Sequence, residues 1–86
     1  MRADDTHVLL VFDDNVNTMD RLVDCLASLP RITEGRAIEL TMRVHNEGAA
    51  IVWAGSKTDA VTCTAVIADN GLSVRMTSIA PADTTN

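Results

Sequence analysis

The chain has 86 residues, 47% of them apolar, with a formal net charge of −5. That length and composition describe one globular domain with a small core. One Trp, one Phe and no Tyr, set in an acidic background, supply neither the basic patch nor the stacking aromatics of a nucleic-acid binder.

Met1-Arg2-Ala3-Asp4-Asp5 leads into no signal-peptide core, and no apolar run is long enough to span a bilayer. No membrane partner is therefore expected. Residues 1–6 read as a short N-terminal extension. The apolar run His7 to Phe12, closed by Asp13-Asp14-Asn15, predicts a central strand covered on both faces.

Asn17 is placed to cap a first helix, with Asp20 three residues on in the capping-box position. Met19, Leu22, Val23, Leu26 and Leu29 recur at helical spacing until Pro30. Thr33 caps a second helix, Glu34 to about Asn46, whose stripe is Ala37, Leu40, Thr41 and Val44, and Gly48 ends it. Ala49 to Ala54 reads as a second strand ending at Gly55.

Ser56 and Asp59 form another capping box, and Lys57 to Asn70 is predicted as a third helix. Its many β-branched residues favour strand, but its length, its cap and the terminal Asn70-Gly71 favour helix. Leu72 to Thr77 alternates as a third strand, and residues 79–86 read as a flexible tail. The order β-α-α-β-α-β predicts an α+β fold, a three-stranded antiparallel sheet with three helices packed on it.

Cys25 and Cys63 lie in apolar helical patterns and read as buried thiols, which suits a reducing compartment such as the cytoplasm. Two Cys and two His without close spacing give no zinc motif. A hydrolase or acyltransferase using His45 would need a positioned nucleophile, yet Ser56, Cys25 and Cys63 sit in no Gly-rich elbow. No catalytic residue, metal or cofactor is expected. Asp13, Asp14, Asn15 and His45 instead combine carboxylates, an amide and an imidazole, acceptors suited to a cationic donor such as an amine. Each also has an ordinary reading, the loop as a polar turn and His45 as a structural residue.

The strand, the acidic loop Asp13-Asp14-Asn15-Val16-Asn17-Thr18-Met19 and the segment Thr41-Met42-Arg43-Val44-His45-Asn46-Glu47-Gly48 together resemble the ClpS family. These are adaptors that present N-degron substrates to Clp proteases, and the resemblance runs from about His7 to Met76. It implies a core domain over residues 7–78 and a non-enzymatic adaptor. The substrate α-amino group would be bound by Asp13, Asp14, Asn15 and His45. A first side chain of Leu, Phe, Tyr or Trp would fill a pocket of Met19, Leu22, Thr41 and Val44, with Val16, Asn17 and Thr18 at its entrance. The implied partners are N-degron proteins and the N-terminal domain of a Clp AAA+ unfoldase of ClpA or ClpC type, in the cytoplasm or a plastid-stroma-like compartment, with the adaptor a monomer.

The sequence departs from the family in several places. Its loop reads Asp-Asp-Asn where the family has Asn-Asp-Asp, and Thr41 stands where Met is common. The family's Glu and Lys that dock on the unfoldase match Thr58 and Cys63, leaving Lys57, Thr58 and Asp59 as the expected contact. These differences, with the short extension before the first strand, resemble a divergent second-type ClpS. The rival reading is an interaction module of the same fold that modulates the unfoldase and whose amine pocket is vestigial.

Overall fold

A computed structural model describes residues 6–14 and 17–79. The elements follow the predicted order: β1 (Thr6–Phe12), α1 (Met19–Ala27), α2 (Glu34–Glu47), β2 (Ala49–Gly55), α3 (Lys57–Asp69) and β3 (Ser73–Ile79). The extension and the tail lie outside the described residues, except that Thr6 already belongs to β1 and Ile79 ends β3.

The sheet is antiparallel in the order β2-β1-β3, so β1 is central. Leu9 and Val11 point to one face and are fully buried in a core with Leu22, Leu26, Leu40, Val44 and Ile67 from all three helices. The expected cover on both faces of β1 is not found. On the opposite face Val8 is buried outside the helix-packed core, but Leu10 is only half-buried and Phe12, Ile51 and Ile79 are exposed. Every helix lies on the Leu9–Val11 side, so the apolar run of β1 reflects a central position with one packed face.

Between Leu9 and Leu10 the register of β2 slips by one residue, pairing Leu9 with Trp53 and Leu10 with Ile51. The extra residue, Val52, lets Val52 and Trp53 both enter the core. Trp53 then lies over Gly55, where an added Cβ would land inside the indole ring.

Local chemistry accounts for the helices. Thr33 and Ser56 cap α2 and α3 through their hydroxyls, as their spacing predicts. In α1 the cap is Thr18, which accepts from the Arg21 amide at 3.1 Å, and not Asn17. That helix ends at Ala27, before Pro30, because the backbone N–H of Ser28 already bonds back to the Cys25 and Leu26 carbonyls. In α3 the β-branched threonines are reconciled with helix by donating back four residues, Thr62 to the Thr58 carbonyl and Thr64 to the Ala60 carbonyl. No helix among the described residues is long and apolar enough to cross a membrane.

Candidate functional site

The acidic loop and α2 meet because the β1–β2 ladder runs one bond past the strands. Phe12 pairs with Ala49, and the Asp13 amide then donates to the Gly48 carbonyl at 2.9 Å. Gly48, in the left-handed region at φ 87°, ends α2 and turns the chain directly into β2. His45, in the last turn of α2, is thereby brought to Asp13, with Nδ1 3.9 Å from Oδ2. That separation is too long for a direct hydrogen bond. Both side chains are open to solvent, 54% for His45 and 38% for Asp13. A donor placed between them can therefore reach a carboxylate oxygen and, when Nδ1 is unprotonated, an imidazole acceptor.

Asp14 has a different employment. Its Oδ1 accepts the Asn17 amide at 2.9 Å, and its carboxylate also takes the Asn17 side-chain N–H at 3.3 Å. Asn17 in turn donates to the Gly71 carbonyl at 2.9 Å, and Arg21 Nε donates to the Asn70 carbonyl at 3.2 Å. These contacts fasten the start of α1 to the turn before β3. Asn17, predicted as a helix cap, is therefore a cross-chain anchor. Asn15 and Val16 lie outside the described residues.

Asp13, Asp14, Asn17, Thr18, Met19, Leu22, Thr41 and His45 line one cavity of about 20 Å³, together with Phe12 and Leu72. Val44 is not in the lining: it is fully buried beneath, in the core. Phe12 and Leu72 escape a reading by periodicity because both sit at element ends. Phe12 borders the loop in sequence, and the Asn17–Gly71 and Arg21–Asn70 bonds hold the turn that carries Leu72 against α1. Met19, at the rim, is 38% exposed. Thr41 is buried, and its Oγ1 has no hydrogen-bond partner.

A larger cleft of about 280 Å³ runs along β2 beside Pro30, Arg31 and Ile32. Arg31 lies over the Trp53 ring at 5.4 Å and donates to the Ala54 carbonyl at 3.3 Å. With Arg36 as its other charged group, this cleft offers cations and is unsuited to an amine. On α3, Lys57, Thr58 and Asp59 are all exposed in the first turn. Cys63 faces the core and offers no surface contact. Burial pushes the Cys25 and Cys63 thiols above their ordinary range, and for Cys63 the nearby Asp59 carboxylate adds to the rise.

The model of the family "ATP-dependent Clp protease adaptor protein ClpS" matches residues 2–75, most of the chain. An adapter protein ClpS from Thermosynechococcus vestitus is 43% identical over 53 residues, 60% of this chain and 56% of that protein. One from Mycobacterium tuberculosis is 41% identical over 55 residues, covering 64% of this chain and 54% of that protein. The matches thus span about half the length of these curated relatives. Among solved structures, Agrobacterium tumefaciens ClpS2 bound to L-phenylalaninamide superposes with a TM-score of 0.73 at 17% identity, covering 90% of this chain and 100% of that one. At that identity the superposition speaks for the fold, and the family match carries the assignment: the chain belongs to the ClpS family.

Proposed function

We propose that the chain is a non-catalytic adaptor that captures proteins by a free α-amino group and a bulky hydrophobic first side chain, and delivers them to a Clp-type AAA+ unfoldase–protease in the cytoplasm. The observation that carries this reading is the pair Asp13 and His45, 3.9 Å apart, on the rim of a cavity whose other walls include Phe12, Met19, Leu22 and Leu72. A protonated α-amino group has three donors, and two fixed acceptors define where it sits. L-phenylalaninamide, the compound on the A. tumefaciens protein, has this chemistry: a free amine beside a benzyl group.

Magnitudes agree with a binder. Charge-assisted hydrogen bonds contribute roughly 1.5–3 kcal/mol each, and burying a Leu or Phe side chain about 1.5–3 kcal/mol. Before association costs the sum is comparable to the roughly 8 kcal/mol of micromolar binding, so peptide contacts beyond the first residue must offset those costs. The cavity of about 20 Å³ holds little more than a water-sized molecule, so an incoming side chain must widen it. Met19 is the wall suited to yield, being partly exposed and carried on a flexible thioether. Delivery is assigned to the exposed first turn of α3, at Lys57, Thr58 and Asp59, with the adaptor acting as a monomer.

Titration of fluorescent Leu- and Phe-initiated peptides tests the reading. Binding is expected with a free amine, to vanish on acetylation, and to weaken in His45→Ala. Equal binding of the acetylated peptide would reject amine capture and favour a module with a vestigial pocket.

A further inference from the structure

We infer that Thr41 makes the pocket select tyrosine over phenylalanine and leucine as the first residue of its guest. The inference rests on the amine-capture reading and names a preference within it.

Among the described residues, Thr41 stands alone as a buried polar side chain, 1% exposed. Its Oγ1 is shielded from solvent and unpartnered. A helical threonine ordinarily satisfies its hydroxyl on the carbonyl four residues back, as Thr62 and Thr64 do on α3. Thr41 makes no such bond to Ala37, although both lie in α2. Thr41 lines the same cavity as His45, so a guest that widens the cavity meets a side chain whose hydroxyl has no partner in the free protein.

Thr41 and His45 are four residues apart on one helix face, about 6 Å along the axis. An amine held at His45 and Asp13 therefore starts its side chain roughly one turn above Thr41. A tyrosine carries its hydroxyl at the far end of its ring, the direction in which this separation must be crossed. The phenol and the Thr41 hydroxyl can each donate or accept, so a bond forms whichever way the proton lies. Phenylalanine fills the same space and leaves Thr41 unpaired. Leucine is shorter and equally apolar. A site built around a polar group discriminates strongly against the guest that lacks its partner, whereas an apolar pocket separates the two poorly.

Peptides identical except for Tyr or Phe at the first position are titrated, free and N-acetylated, against the full chain and the variants Thr41→Val and Thr41→Ser. The Tyr peptide is expected to bind roughly tenfold more tightly than the Phe peptide. Thr41→Val, which keeps the shape and removes the hydroxyl, should erase that ratio, and Thr41→Ser should retain it. Equal affinity for the two free peptides, or a Tyr preference that survives Thr41→Val, overturns the inference. If acetylation abolishes binding of both peptides and yet they bind equally, only the Thr41 inference fails. If acetylation changes nothing, amine capture fails with it.

Discussion

Asp13 and Gly48 are joined by a backbone hydrogen bond of 2.9 Å, and this bond, more than any side-chain contact, sets the distance between the acidic loop and His45. Gly48 can hold its carbonyl there because it sits at φ 87°, where a Cβ is strained. An added Cβ would meet nothing within 4 Å, so substitution is penalised through the backbone alone. Gly48→Ala is expected to lower stability by about 1–2 kcal/mol in urea unfolding. It should also weaken peptide binding, since Asp13 moves relative to His45. An unchanged unfolding midpoint would contradict the left-handed cap.

The unpaired hydroxyl of Thr41 gives a second prediction. A buried polar group without a partner is destabilising, and its replacement by an apolar group of like shape is neutral or stabilising. Thr41→Val should therefore raise the unfolding free energy, by about 1 kcal/mol, even as it alters guest preference. A lower melting temperature would mean that the hydroxyl is satisfied in the native protein.

Asn17 and Thr18 are neighbours with separable roles. Thr18→Ala removes the helix cap and is expected to cost about 0.5–2 kcal/mol of stability. Asn17→Ala removes the side-chain links to the Asp14 carboxylate and to the Gly71 carbonyl, while the bond from its backbone N–H to Asp14 survives. Its larger effect should fall on peptide affinity, because the loop bearing Asp13 and Asp14 loses its side-chain link to the turn before β3. Unfolding curves and anisotropy titrations on both variants read the contrast.

Cys25 and Cys63 are buried and their thiols are held above the ordinary range by burial. Aromatic disulfide reagents should label them only on unfolding, with a rate that rises across the urea transition. The pH dependence follows in sign. The unfolded thiol begins to ionise near its ordinary value of 9.0, while the folded one stays protonated. From there the unfolded state binds fewer protons, and this contribution to stability declines as pH rises. A Cys25→Ala, Cys63→Ala protein should show a shallower alkaline decline.

Local signals made most of the fold legible. Thr33, Ser56 and Gly48 mark their helix ends because capping depends on a few adjacent residues. The ambiguous third helix turned on whether its threonines could return their hydroxyls to the backbone, and Thr62 and Thr64 do. What escaped was set at long range. Asn17 and Thr18 are both good caps, and the choice was decided by Gly71, 54 residues away. In the same way, Leu72 replaces Val44 in the cavity lining through tertiary placement, which helical periodicity does not report. The apolar run of β1 also overstated its cover, since a central strand packed on one face can carry Leu10 and Phe12 outward.

The slip at Val52 has a consequence beyond the core. β2 is an outer strand of the sheet, and its side left unpaired among the described residues is a ready template on which a second molecule could add a strand. A bulge interrupts the regular spacing of donors and acceptors along that side and bends it. The residue that carries Trp53 inward thus also spoils the match an intruding chain would need. That irregularity guards the strand against being joined by an extended polypeptide.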